Sequence, residues 1–169
     1  GCEGRCVALD WDDEASRQQL RNAIGDEGAD VVVGANCIYA CEAVVPFLAG
    51  VAAISNPSTQ VFVCGIPQPP KERQDVALDS MLDTFLTAAR ASYDCYLVGS
   101  GGNPVSSVSE DANAKSTCGT SLAEALAEQH GFSTGVLADG IWLLMQPGVR
   151  PPHWVQPLLK IERDGSATS

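Results

Sequence analysis

Ala29-Asp30-Val31-Val32-Val33-Gly34-Ala35 is the stretch that decides the fold class. Three consecutive valines put apolar, β-branched side chains on both faces of a strand, the pattern of a parallel sheet covered on both sides. Before it, Asp13 to Ile24 carries acidic residues first, Arg17 and Arg21 later, and Leu20, Ala23 and Ile24 on one side, which predicts a short amphipathic helix closed by Gly25. After it, Glu42 to Ile54 places Val44, Val45, Leu48, Val51 and Ala52 at helical spacing, with Pro46 close enough to the start for a first turn. Asn56-Pro57-Ser58 predicts a turn, and Gln60 to Ile66 another strand. Alternating strands and helices of this kind are the signature of a doubly wound α/β domain.

Working outward, Cys6-Val7-Ala8-Leu9 is an apolar run that stops at Asp10-Trp11-Asp12, the pattern of a buried strand reaching a sheet edge. On the other side, Asp75 to Ala91 carries Val76, Met81, Leu82, Phe85, Leu86 and Ala89 along one helical side, and Tyr93 to Val98 is a further strand candidate. Residues 99–117 are rich in Gly, Ser, Asn and Asp and predict a long insertion. A helix from Ser121 to His130, stopped by Gly131, precedes apolar Ile141 to Met145. A Pro-punctuated tail over 148–169 contains a second strand candidate, Pro157 to Ile161. The pattern does not tell which of these two runs closes the sheet. The expected division is a domain over 1–147 followed by that tail.

The chain has 169 residues with 21 Asp and Glu against 10 Lys and Arg, a net charge of −11. Such a surface argues against a broad grip on nucleic acid and suits either solubility or a basic, lysine-bearing protein substrate. No apolar run approaches the ~20 residues of a membrane helix. Seven cysteines, an odd number with no signal peptide before them, point to a reduced, cytoplasmic setting. Cys2 with Cys6, and Cys37 with Cys41, lack the further ligands a zinc or iron-sulfur site needs, so no metal is expected. His130 and His153 have no ligand partner close in sequence. Gly99-Ser100-Gly101-Gly102-Asn103-Pro104 lacks the third glycine of a dinucleotide fingerprint and is expected to be a turn. The chain opens on Gly1 and reaches an apolar run within a few residues, which is expected of a piece of a longer protein.

Two features sit at predicted strand ends, where ligands bind in doubly wound sheets. Trp11 offers a ring that can stack on an adenine or pack under the next helix. Gly34-Ala35-Asn36-Cys37-Ile38-Tyr39 leaves its strand with small residues that admit a ligand, then an amide, then a phenol. Leu9-Asp10-Trp11, Asp30 to Tyr39 and Glu42-Ala43-Val44-Val45-Pro46 together resemble the lysine methyltransferase-like family of class I, seven-strand S-adenosylmethionine-dependent methyltransferases. The likeness covers roughly residues 6 to 98. Leu9-Asp10-Trp11-Asp12, Val61-Phe62-Val63 and Asp83-Thr84-Phe85 look closest to the branch that methylates elongation factor 2.

The resemblance implies a Rossmann-like, three-layer α/β fold with a mostly parallel sheet and an antiparallel strand near its C-terminal edge, incomplete at its N-terminus. It implies that Trp11 lines the adenine pocket and that Ala35 and Asn36 lie against S-adenosylmethionine. Asn36 and Tyr39 would border the channel for the target lysine, making the chain the later part of a protein N-lysine methyltransferase that works as a monomer. Two departures stand beside this. Asn36 occupies the family's usual aspartate position, which keeps an acceptor oxygen but loses a negative charge. No glycine-rich loop for the methionine and ribose ends of the cofactor precedes Cys6. The family's strand order then leaves Cys6 to Trp11 without a sheet neighbour. These departures favour a second expectation, a non-catalytic Rossmann-like protein-interaction module.

Overall fold

The computed structural model describes residues 4, 6–66, 81–99, 121–132, 134–155 and 157–161. Helix α1 spans Glu14–Ile24 because Asp13 caps it, its carboxylate accepting from the Ala15 and Ser16 N–H groups at 3.1 Å each. Gly25, at φ 98°, ends it in a backbone region that side chains resist. Strand β1 is Ala29–Ala35, as its valines predict. A 3-10 turn at Cys41–Ala43 leads into helix α2, Val44–Ile54, where Pro46 is the third residue and gives up an N–H that has no helical partner anyway.

Strand β2, Ser55–Cys64, starts before the expected position. The turn chemistry of Asn56-Pro57-Ser58 persists inside it: Asn56 Oδ1 accepts from the Ser58 N–H at 2.8 Å, and the pairing register shifts between Ala29 and Val31. Helix α3 is described over Met81–Arg90, strand β3 is Asp94–Gly99, and helix α4 is Leu122–His130. The predicted helix residues 75–80, the insertion over 100–117 and residues 162–169 of the tail lie outside the described residues. Ser121 and Glu124 close a reciprocal capping box on α4, and Gly131 at φ 70° ends it. A short helix α5, Thr134–Ala138, has no counterpart among the sequence expectations; strands β4, Ile141–Met145, and β5, Leu159–Ile161, complete the order.

The five strands form one sheet of this α/β fold in the order β1-β2-β4-β3-β5. Both late apolar runs join it: β4 lies inside, between β2 and β3, while β5 forms the edge. The expectation of a mostly parallel sheet is corrected. Among the described strands only β1 with β2 is a parallel pair, and the β2–β4, β3–β4 and β3–β5 pairs are antiparallel. The cause is that β4 enters between two strands that run the other way, so one insertion makes both of its ladders antiparallel.

The larger core lies on one face, where Val61, Val63, Leu97, Trp142 and Leu144 meet Phe47, Leu48, Phe85, Leu86 and Leu126 from the helices. Two polar contacts fix this layer. The Trp142 indole N–H donates to the Leu137 carbonyl at 2.8 Å, and the Asp83 carboxylate, itself buried on α3, accepts from the Ala123 N–H at the start of α4 at 2.6 Å. The opposite face carries a smaller cluster of Tyr96, Leu143 and Met145 with Val149 and Val155 laid across it, and Trp154 stacks on Phe62 at 6.2 Å. Among the described residues no helix covers that face, so the expected third layer is not found there. Val31 and Val33 stay 52% and 69% exposed in consequence.

Cys6 to Leu9 forms no strand, contrary to the apolar-run reading: Cys6, Val7 and Ala8 are exposed and no ladder takes them up. Four apolar residues make a strand only when a neighbouring edge accepts their N–H and C=O groups, and none of the five described strands pairs with them, as the family's strand order led one to expect. No helix among the described residues is long and apolar enough to cross a membrane, and no cluster of three or more His, Cys, Asp or Glu suited to a metal occurs among them.

Candidate functional site

β1 and β2 run parallel, so their carboxyl ends open on the same edge of the sheet, with Ala35 opposite Cys64. The Asn36 N–H continues the ladder by one bond, donating to the Cys64 carbonyl at 3.0 Å. Asn36 then turns the chain at φ 47°, the one positive φ at a non-glycine residue among those described. Asparagine tolerates this region better than most residues. Ile38 goes into the core at 2% exposure, whereas Tyr39 stands 76% exposed. Ala35 and Asn36 are also exposed.

An apolar cavity of about 280 Å³ runs along β1 under α1 and α2, lined by Trp11, Leu20, Val32, Ala35, Phe47 and Ile54, among others, and reaches this edge at Ala35. That volume sits just below the ~300–1,000 Å³ of ordinary small-molecule pockets. Trp11 reaches it although no strand holds its segment. Its ring packs edge-on against Phe47 at 5.3 Å and 71°, and lies over Gly50 of α2. The Arg17 guanidinium donates to the Trp11 carbonyl, and the Asp10 N–H donates to Ser16 Oγ at 2.9 Å, so α1 holds the segment by its own first turns. The structural alternative for Trp11, packing against a helix, is thus met by α2 rather than by α1, and one side of the ring remains toward the cavity.

Gly34 has a local reason to be glycine. A Cβ there would stand 2.9 Å from Phe47 Cζ and 3.2 Å from Cys37 Sγ, so the absent side chain lets the Phe47 ring close onto the strand. Burial raises the Cys37 thiol pKa above its ordinary 9.0, with a backbone hydrogen bond opposing and Cys64 adding to the rise. At neutral pH this thiol is therefore protonated and contributes polarizable apolar surface to the wall.

The structure thus brings Trp11 and Ala35 to one cavity, while Asn36 and Tyr39 follow directly along the strand exit without lining it. Phe47 was not singled out in the sequence, although it carried a usable signal, an aromatic on the inward side of α2. Compared with known proteins, the chain matches no family model and no curated protein.

Proposed function

We propose that the chain supplies the adenine side and the amine side of a class I S-adenosylmethionine-dependent protein N-lysine methyltransferase. The observation that carries this reading is that Trp11 and Ala35, far apart in sequence, line one apolar cavity, which runs along β1 from Val32 and reaches the carboxyl end of that strand at Ala35. Ligands of α/β sheets bind at that edge. The antiparallel β4, set between β2 and β3, agrees with the antiparallel strand near the C-terminal edge that the family resemblance implies for a Rossmann-like fold.

The residues present fit the adenosyl group: the cavity is apolar and aromatic on one wall, and the small, exposed Ala35 keeps the strand exit clear. When bound, S-adenosylmethionine supplies a methyl group on a cationic sulfonium. Trp11 covers the adenine and excludes water from it. Ala35 leaves the strand end open. The Asn36 carbonyl oxygen accepts a hydrogen bond from the substrate amine, which must be neutral to attack, and Tyr39 flanks the incoming lysine stem. Alignment and exclusion of water contribute most of the acceleration in such a displacement.

In this reading the substrate is a protein with an accessible lysine, the enzyme acts as a cytoplasmic monomer, and a glycine-rich loop for the methionine and ribose ends of the cofactor would have to be supplied from outside these residues. Exposed Val31 and Val33 on a free-edged strand favour a second reading, a protein-interaction module without catalysis. Calorimetric titration with S-adenosylhomocysteine, applied to this chain and to a version extended upstream through a glycine-rich segment, separates the two. Binding by the extended protein that is weakened by Trp11→Ala supports the methyltransferase, and binding by neither leaves the interaction module.

A further inference from the structure

Two left-handed residues stand side by side at the ends of β1 and β2. Asn36 has φ 47° and Gly65 has φ 67°, and the hydrogen bond from Asn36 to the Cys64 carbonyl ties the two turns together. The Asn36 side chain fills the space where Gly65 lacks one. A Cβ on Gly65 would overlap Asn36 Oδ1 and stand 2.7 Å from its Cγ and 3.2 Å from its Nδ2. A carboxamide reaching only into solvent would leave that volume empty. Gly65 therefore has two reasons to lack a side chain: its backbone conformation and the group resting on it.

We infer that Gly65 is a positioning residue, the bare seat that holds the Asn36 carboxamide where β1 and β2 end side by side. Free asparagine rotates about two side-chain bonds; contact with the Gly65 backbone selects one arrangement before any ligand arrives. What the carboxamide then does for a ligand rests on the methyltransferase reading, whereas the seating does not. The same geometry accounts for an amide or a carboxylate at this position equally well, because both have the same planar shape. The seat also sets a limit on the neighbour: any side chain at position 65 would push the carboxamide off it.

The test is a cycle of wild type, Gly65→Ala, Asn36→Ala and the double variant, with Asn36→Asp as the conservative control. In the wild-type chain, nuclear Overhauser contacts are expected between the Asn36 side-chain NH₂ and the Gly65 α protons; their absence overturns the inference without any variant having to fold. In thermal unfolding, Gly65→Ala should lower the midpoint more in the wild-type background than in the Asn36→Ala background, since only the backbone strain remains in the second case. Asn36→Asp should keep the wild-type midpoint difference. For methyl transfer by the upstream-extended protein, Gly65→Ala should lower kcat/KM roughly tenfold with Asn36 intact and less than about twofold in the Asn36→Ala background, a non-additivity that a purely structural role would not produce. Equal loss in both backgrounds overturns the positioning role. No transfer by any form of the upstream-extended protein sinks the methyltransferase reading instead, and the contact and unfolding arms still decide the seat.

Discussion

Gly34→Ala probes how tightly the cavity wall is built. The added methyl would sit 2.9 Å from Phe47 Cζ and 3.1 Å from Cε2, closer than carbon contacts allow, so the ring must move. Phe47 is 5% exposed and its other side meets Trp11, so it has no free direction except toward the cavity. Overpacking of this kind costs about 1–3 kcal/mol. Removing a glycine from a strand interior returns about 0.5–1 kcal/mol. The two figures leave a net loss of up to about 2.5 kcal/mol, centred on about 1 kcal/mol, measured as a lower urea midpoint at unchanged slope. Phe47→Leu removes the ring atoms in the way, so the double variant should lose less than the sum of the singles by at least about 0.5 kcal/mol. Trp11 fluorescence should also shift in Gly34→Ala. Unchanged or increased stability, with additive single variants, would refute the packing argument.

Further outcomes follow from other contacts. Tyr39→Ala should leave the unfolding midpoint nearly unchanged, because the ring is 76% exposed, while lowering methyl transfer by the upstream-extended protein; a large stability loss would count against its placement at the site rim. Asp83→Ala should destabilise by about 1–3 kcal/mol in urea unfolding, since it strips the buried Ala123 N–H of its acceptor. Burial, with Asp94 adding and Arg90 opposing, pushes the Cys95 thiol from 9.0 up to about 12. The unfolded thiol ionises first, so stability should fall as pH rises from about 9 toward 12, by on the order of a few kcal/mol at the upper end. Tyr93, also raised by burial, adds to the fall above its ordinary 10.0. Cys95→Ala should therefore flatten the decline in part, and identical pH slopes for variant and wild type would contradict the burial argument.

Where structure depends on neighbours in sequence, the residues announced it. Asp13 and Gly25 bound α1, Ser121, Glu124 and Gly131 bound α4, and the Val31 to Val33 run is a strand. Strand direction was not legible, because Ile141 to Met145 has the same apolar pattern whether it enters the sheet parallel or antiparallel. Cys6 to Leu9 misled for a related reason: apolar residues propose a strand, but a distant edge must accept it. At the site, Trp11 and Ala35 were visible as residues closing apolar runs, of which only that of Ala35 is a strand, and their meeting in one cavity depended on Phe47 and on α1 folding the Trp11 segment back. Gly65 was silent in the sequence, since its partner Asn36 becomes a neighbour only through the β1–β2 register.

The most direct measurement of the central claim is photochemical. S-adenosylmethionine with a tritiated methyl group would be cross-linked by ultraviolet light to the upstream-extended protein and the labelled peptides mapped. The account predicts label in peptides that contain Trp11 or residues 35–39, competed away by S-adenosylhomocysteine. Label confined to other peptides, or no competed label on a protein shown to be folded, would contradict it.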